Sequence, residues 1–194
     1  MKTYIAKYLF RLIISIRNKY LYLMNSLYII TLANKFARCG KNVHIYYPCE
    51  ITNAQSVEMG NNIHVNRGAF IRAEGGLKIG DNVHIARNVT IYTYNHNYKG
   101  NALPYDHTLL RKSVVIEKNV WIGINVTIIP GITIGEGAVI GAGTVISKDV
   151  PPLAIIGNSH QRIIKFRDKS HYAKLENSHQ YGGVNGRLYE GSQK

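Results

Sequence analysis

The chain has 194 residues, of which 24 are Lys or Arg and 11 are Asp or Glu, so its formal net charge is +13. Such a length predicts one domain with flanking segments. The charge suits an anionic lipid or a phosphorylated cofactor. No nucleic-acid-binding motif accompanies the charge, so we expect no nucleic acid partner.

The two cysteines, Cys39 and Cys49, fall on positions that the repeat described below directs inward. A core role is therefore favoured over a disulfide, a metal site or a nucleophile. Nothing in this cysteine usage indicates an oxidising compartment, and we expect a cytoplasmic protein.

Residues 1–38 form a basic segment that contains seven Lys or Arg and no acidic residue. The longest uncharged run covers residues 20–34, which is short of the roughly 20 apolar residues needed to span a bilayer. No signal-peptide cleavage pattern follows it. Two compatible interpretations stay open: two short helices that cap the next domain, or a basic amphipathic helix that lies on the inner face of the cytoplasmic membrane.

Residues 39–150 repeat a phrase of six residues: an aliphatic residue, often Gly, two polar residues, a small residue and any residue. One copy is too short to bury its own apolar side, so the period predicts a solenoid. Three copies close one turn of a triangular prism, which gives a parallel β-helix of about five turns. Gly and Asn are expected at the tight bends. The inward aliphatic positions are Cys39, Ile45, Ile51, Met59, Val65, Ile71, Ile79, Ile85, Ile91, Ile116, Ile122, Ile128, Ile134, Ile140 and Ile146.

Between Ile91 and Ile116 the repeat is interrupted, and residues 95–113 form an inserted loop. Long loops within compact repeats usually serve binding or catalysis. His96 lies at the entrance of this loop, where the prism wall can hold it in place. Neutral imidazole, with an unperturbed pKa of about 6.5, suits a general base at neutral pH. His107, beside Asp106 in the body of the loop, is the competing base.

Four stretches of the repeat, residues 119–123, 130–135, 139–145 and 148–152, closely resemble the bacterial hexapeptide-repeat acyltransferases. The resemblance covers roughly residues 40–167 and is strongest to the branch of galactoside, maltose and polysaccharide O-acetyltransferases. It implies a left-handed β-helix, a homotrimer with active sites between subunits, acetyl-CoA as co-substrate without a metal, and a sugar or glycan acceptor.

The resemblance also implies roles for individual residues. His96 corresponds to the catalytic base, and residues 151–167 to a C-terminal cofactor-binding extension. On the acceptor side the resemblance places Asn66, Glu74 and Arg111, where Arg111 either positions the acceptor or is a solvated charge. Asn95, beside His96, is a further expected acceptor contact, and His107, in the loop body, is expected to contact the acceptor or simply to be solvated. On the cofactor side lie Trp121, Gly123, Ala142, Gly143, Arg162, Lys165 and Arg167.

Three alternatives remain beside an O-acetyltransferase. An N-acetyltransferase acting on an amino-sugar nucleotide could use the same base, and a non-catalytic scaffold could use the same prism. His44, His64 and His84 recur every 20 residues and would stack as a ladder on one face. A zinc site is the third alternative, because some prisms of this architecture are carbonic anhydrases in which three histidines hold zinc across a subunit interface. Identical repeat context explains the ladder without a metal, and its outer members would be too far apart for one ion. The polar tail, residues 168–194, is expected to be poorly ordered or to lie draped over the surface.

Overall fold

The computed structural model describes residues 2–157, 168–178 and 180. Short parallel strands form three sheets, which are the three faces of a triangular prism. Face 1 contains β1 (Arg38–Cys39), β4 (Val57–Met59), β7 (Leu77–Ile79), β12 (Val114–Ile116) and β15 (Thr133–Ile134). Face 2 contains β2 (Val43–Ile45), β5 (Ile63–Val65), β8 (His84–Ile85), β13 (Trp121–Ile122), β16 (Val139–Ile140) and β18 (Ile155–Ile156). Face 3 contains β3 (Glu50–Thr52), β6 (Phe70–Arg72), β9 (Thr90–Tyr92), β14 (Thr127–Ile128) and β17 (Val145–Ile146).

The inward side chains stack on their equivalents in the next turn, which confirms the predicted parallel β-helix. On face 2, for example, Ile45 pairs with Val65 and Val65 pairs with Ile85. These side chains are almost completely buried. Because a single turn buries its apolar side only against its neighbours, the stacks hold the turns together.

The corner between faces 1 and 2 is built from asparagines in the left-handed backbone conformation. Asn42, Asn62, Asn82 and Asn119 have φ values of 58°, 56°, 56° and 61°. The side-chain amide of each of the first three donates a hydrogen bond to the side-chain oxygen of the next Asn, over 2.8, 3.0 and 3.0 Å. Asn tolerates this conformation better than most residues, and the predicted role of Asn at the bends is confirmed.

The prism continues further than the five predicted turns and has about six. Val150 forms a parallel bridge with Ile134, and β18 pairs with β16. Val150 and Ile156 are six residues apart, so the repeat period runs on into the segment that we expected to be a cofactor-binding extension.

Residues Lys2–Ala33 form one continuous helix, α1, so the prediction of two short helices is wrong. No Gly or Pro occurs in residues 1–33 to interrupt it. Its C-terminal end packs on the prism: Leu32 and the following Phe36 join the hydrophobic core, and the Tyr28 hydroxyl donates to the Cys49 carbonyl oxygen. No helix in the described part of the chain is long and apolar enough to cross a membrane.

Both cysteines are free thiols. Cys49 is buried in the core and Cys39 pairs in register with Met59. Burial raises the pKa of the Cys49 thiol to about 12, assisted by the neighbouring Glu50 carboxylate. A thiol in this state is a poor nucleophile, in agreement with the predicted core role.

Residues Lys169–Asn177 of the tail form a second helix, α2, so the prediction of poor order is wrong for them. Asp168 caps its N-terminus by accepting a hydrogen bond from the backbone N–H of His171 at 2.8 Å. Of the three basic residues predicted to meet cofactor phosphates, Arg162, Lys165 and Arg167, all lie outside the described residues.

Candidate functional site

The inserted loop leaves the prism at the edge between faces 3 and 1, directly after β9. Thr93 secures this exit: its buried hydroxyl donates to the Arg72 carbonyl at 2.8 Å and accepts from the Gly75 N–H at 2.6 Å. On return, the Lys112 N–H donates to the Thr93 carbonyl at 2.8 Å. A Cβ at Gly75 would lie 1.9 Å from that carbonyl oxygen, so this close approach requires glycine. Both ends of the insertion are therefore held by backbone contacts.

The loop begins as an antiparallel hairpin of β10 (Tyr94–His96) and β11 (Leu109–Arg111). His96 pairs with Leu109 and is thus the last residue of its strand before residues 97–108. The structure places His96 where regular backbone ends and the loop body begins, as the sequence predicted.

Two aromatic rings hold the His96 imidazole. Tyr105 stacks on it with ring centroids 3.9 Å apart and planes inclined by 17°. Tyr94 meets it edge to face at 5.8 Å. The His96 Nδ1 atom is buried, and it has no hydrogen-bond partner among the described residues. Buried polar atoms of this kind are rare and cost about 1–3 kcal/mol, which distinguishes this ring from an ordinary surface histidine.

Asp106 organises the loop body. Its carboxylate accepts hydrogen bonds from the backbone N–H groups of Asn101 and Thr108, at 3.1 and 2.9 Å, and from the Thr108 hydroxyl. The Thr108 hydroxyl is the largest cause that holds the pKa of Asp106 below its usual value. The carboxylate is thus occupied with the loop, while His107 is exposed. The hydrogen bonds of Asp106 therefore fix the part of the loop that carries Tyr105 and are not directed at the competing base, His107.

The side chain of Glu74 lies near the exit of the loop and is held by two partners. Its Oε1 accepts from the Arg72 Nε and Nη2, at 3.1 and 2.9 Å, and from the Thr52 hydroxyl at 2.9 Å. Burial raises the pKa of Glu74, but the hydrogen bonds from Arg72 and Thr52 outweigh it, and the net shift is downward. The other oxygen, Oε2, is buried without a partner among the described residues. It remains available as a hydrogen-bond acceptor.

Arg72 also connects Glu74 to the hairpin, because its guanidinium lies over the Tyr94 ring, 5.2 Å from the centroid. A continuous row of contacts therefore runs from Glu74 through Arg72 and Tyr94 to His96 and Tyr105. Sequence reasoning did not select Arg72, Tyr94 or Tyr105. The sequence offered one signal for Arg72, its position two residues before the acidic Glu74, with which it forms an ion pair.

The other predicted acceptor residues are more scattered. Asn95 is exposed on the hairpin, and its side-chain oxygen accepts from the His96 N–H at 3.0 Å. Arg111 is exposed on the facing strand, opposite Tyr94. Asn66 is exposed on the corner before β6, at the other end of that strand from Glu74. The structure therefore brings Asn95 and Arg111 together with His96, and places Asn66 apart along face 3.

Trp121 lies on the outer surface of face 2 and is 59% exposed. It pairs with His84 in the turn before it and with Val139 in the turn after it. In a triangular prism, face 2 lies opposite the edge between faces 3 and 1. Trp121 and the hairpin of the same chain therefore lie on opposite sides of the prism.

The predicted cofactor residues above Trp121 have two different environments. A Cβ at Gly123 would lie 2.8 Å from the Ala142 nitrogen, so glycine is required there by contact between successive turns. Gly143 has a φ of 68°, and no atom lies within 4 Å of a Cβ placed on it. Gly143 therefore has open space beside it, and Ala142, the residue before it, is exposed.

The histidine ladder forms on face 2 below Trp121. His44 and His64 have ring centroids 5.0 Å apart, and His64 and His84 are 4.5 Å apart. Burial lowers the pKa of His64, and the neighbouring His84 and His44 lower it further. In the part of the chain that the structure describes, no group of three or more His, Cys, Asp or Glu could hold a metal ion.

Comparison with known proteins gives a consistent result. The family model for bacterial transferase hexapeptide repeats matches residues 113–148. A maltose O-acetyltransferase from Clostridium difficile 630 is 34% identical with a TM-score of 0.62, over 71% of this chain and 73% of that protein. Galactoside acetyltransferase in complex with coenzyme A is 31% identical with a TM-score of 0.61, over 73% of this chain and 70% of that protein.

A hexapeptide-repeat acetyltransferase from Vibrio cholerae, in complex with acetyl coenzyme A, is 28% identical with a TM-score of 0.62, over 71% and 75% of the two chains. An N-acyltransferase from Bacillus cereus, in complex with dTDP and coenzyme A, is 25% identical with a TM-score of 0.52, over 76% of this chain and 92% of that protein. Comparison with curated proteins gives no match.

Proposed function

This chain belongs to the family of bacterial hexapeptide-repeat acyltransferases, and from that premise we propose that it acetylates a hydroxyl group of a sugar or surface-polysaccharide precursor, with acetyl-CoA as donor. The observation that carries the proposal is His96. Its imidazole is held between Tyr105 and Tyr94 at the end of a hairpin and keeps a buried ring nitrogen unpaired among the described residues.

In the proposed reaction His96 accepts the proton of the acceptor hydroxyl as the oxygen attacks the acetyl carbonyl. The new C–O bond forms, the C–S bond of the thioester breaks, and the proton passes from His96 to the departing thiolate. General base catalysis of this kind typically contributes about 10²–10⁴-fold. No enzyme-bound acetyl group is needed, because acceptor and donor react directly within a ternary complex.

Glu74 and its neighbours would position the acceptor. The unpaired Oε2 of Glu74 can accept a hydrogen bond from a sugar hydroxyl, while Arg72 and Thr52 fix its Oε1. Arg72 also links this ion pair to the hairpin, because its guanidinium lies over the Tyr94 ring and Tyr94 contacts the His96 ring. Asn95, His107 and Arg111 lie on the hairpin and its loop as further acceptor contacts, and Asn66, apart from them along face 3, would meet a more distant part of the acceptor. On the donor side, Trp121 would lie against the pantetheine arm, and Arg162, Lys165 and Arg167 would meet the cofactor phosphates.

We place each active site between two copies of a homotrimer. The support is geometric: His96 and Trp121 of one chain lie on opposite sides of its prism, so the acceptor side and the cofactor side can meet only when two prisms pack together. A protein that lacks His96 and one that lacks Trp121 would then complement each other.

Two measurements test the proposal. Labelled acetyl-CoA offered with a panel of glycans should give an acetylated product from which mild alkali releases the label, because esters are hydrolysed and amides survive. Co-expressed His96→Ala and Trp121→Ala chains should recover activity that neither variant has alone. Failure of the intact protein to bind or turn over acetyl-CoA would favour a non-catalytic scaffold.

N-acylation of an amino-sugar nucleotide is the second candidate, and the likeness to an N-acyltransferase crystallised with dTDP and coenzyme A supports it. The same base could deprotonate an amine. An alkali-stable label on an amino-sugar nucleotide would select this alternative.

We also propose that the enzyme acts in the cytoplasm at the inner face of the cytoplasmic membrane, with residues 1–38 making the peripheral contact. The basic and apolar composition of this segment supports the proposal. A lipid-linked acceptor would be available at that surface.

A further inference from the structure

The exposed side of α1 is more regular than its composition suggested. Seven large side chains follow one another at alternating spacings of four and three residues, which places them on a single stripe along the helix. The stripe consists of Leu9, Ile13, Ile16, Tyr20, Leu23, Leu27 and Ile30, each between 51% and 62% exposed. It is about 32 Å long. Monomeric soluble proteins rarely expose so continuous an apolar surface without a partner.

The stripe faces away from the prism. The residues of α1 that are half-buried or buried against the prism lie on another side of the helix, among them Asn25, Tyr28 and Leu32. The Asn25 side-chain oxygen accepts from the Tyr47 N–H, and Tyr28 reaches the Cys49 carbonyl. The prism therefore fixes the rotation of α1 about its axis and leaves the stripe outward.

The charges beside the stripe decide between the occupants that could cover it. Arg17 and Lys19 flank it at its centre, and the chain contains no acidic residue before Glu50. A seam between two copies of this helix would lack the opposite charges that flank coiled-coil seams. An anionic lipid surface supplies those charges. Exposed aromatic side chains on the same helix, such as Tyr8 and Phe10, suit the headgroup region.

We propose that α1 lies in the plane of an anionic bilayer, with the stripe from Leu9 to Ile30 inserted among the lipid chains and Arg17 and Lys19 at the phosphates. The ligand class is the anionic phospholipid. This inference rests on the membrane contact proposed above and names its face and its lipid chemistry. It is independent of the reaction that the enzyme catalyses.

The experiment is cosedimentation of the full-length protein with vesicles of phosphatidylcholine alone or of phosphatidylcholine mixed with phosphatidylglycerol. We expect binding to the mixture only, weakened by salt. Ile16→Gln, on the stripe, should weaken that binding about tenfold, because it removes one apolar anchor while Gln keeps a high helix propensity. Tyr22→Gln is the matched control: Tyr22 is 77% exposed but lies off the stripe, beside Arg11 and Asn18, and should bind as the unchanged protein does.

Four results would overturn the inference. If the protein binds neither vesicle, the proposed membrane contact is wrong. If it binds both vesicles equally, anionic lipid is not required. If the Ile16→Gln protein binds the mixed vesicles as tightly as the unchanged protein, the stripe is not the lipid-binding surface. A smaller oligomer for Ile16→Gln in solution shows that a second copy covers the stripe. Acetyl transfer to a soluble acceptor, measured in parallel, should be unchanged in both variants and separates these results from failure of the proposed reaction.

Discussion

The corners of the prism and the end of the hairpin use polar side chains in opposite ways. At the corners, the Asn82 side chain accepts from Asn62 and donates to Asn119, so its polar atoms find partners within the repeat. At the end of the hairpin, His96 is held by aromatic rings, and its buried Nδ1 has no partner within the described ranges. The corner is satisfied within the repeat, whereas the hairpin is, in our proposal, arranged to bind the acceptor. Stability should therefore reside in the first region and activity in the second.

The largest expected effect on activity is that of His96→Ala, which tests whether the hairpin carries the activity. We expect kcat to fall by about 10²–10⁴-fold with little change in the free energy of unfolding, because in the proposed mechanism the side chain transfers a proton and does not contribute to the packed core. Steady-state kinetics and thermal unfolding measure the two effects. His107→Ala is the comparison variant and should retain kcat near that of the unchanged enzyme, with any effect confined to KM for the acceptor, because His107 is proposed as an acceptor contact and not as the base. A larger loss of kcat for His107→Ala than for His96→Ala would identify His107 as the base.

The reverse result is expected for Ile122→Ala in the core of face 2. Removing this fully buried side chain should lower the free energy of unfolding by about 2–5 kcal/mol. Chemical denaturation of the full chain measures the loss. Ile124, two residues later, is 49% exposed and gives the control, since Ile124→Ala should change the stability little. Equal losses at both positions would contradict the assignment of the core.

Asn82→Ala tests the corner. It should cost about 1–2 kcal/mol of unfolding free energy, because alanine is strained at a φ of 56° and two hydrogen bonds between side chains disappear. Asn82→Gly also loses those hydrogen bonds but accepts the φ, so it should be less destabilising. Equal unfolding curves for the two variants would show that the backbone conformation contributes nothing.

Tyr105→Ala should lower kcat about tenfold and leave the stability of the prism unchanged, because the stacked ring limits the orientations of His96. Tyr105→Phe preserves the ring and should restore kcat. If Tyr105→Ala raised only KM, the ring would contact the acceptor and would not position His96.

The smallest effect concerns pH and the histidine ladder. Burial, followed by the charges of His84 and His44, lowers the pKa of His64 in the folded protein, so the unfolded chain binds more protons at mildly acidic pH. The stability contribution of His64 is therefore complete above its unfolded pKa of about 6.5 and decreases as the pH falls through that value. Unfolding free energies measured between pH 5 and pH 8 should decrease toward pH 5, and His64→Gln should reduce the slope. If His64→Gln left the pH dependence of the unfolding free energy unchanged, groups other than His64 would be its cause.

The sequence by itself determined the prism, because its information is local and repeated. An aliphatic residue every six positions, with Asn or Gly at the bends, specifies which side chain turns inward in each copy. The break in that period located the insertion and His96 at its entrance. Even the extra turn at Ile155–Ile156 follows the same spacing.

Only the tertiary structure decided what surrounds His96 and which side of α1 is free. Tyr105 stacks on His96 from nine residues away, and Arg72 reaches Tyr94 from another turn, through contacts that no period encodes. The orientation of α1 depends on Asn25 and Tyr28 meeting the first turn of the prism. Such contacts depend on how chain segments of different kind meet in space, whereas the repeat depends only on each turn meeting a copy of itself.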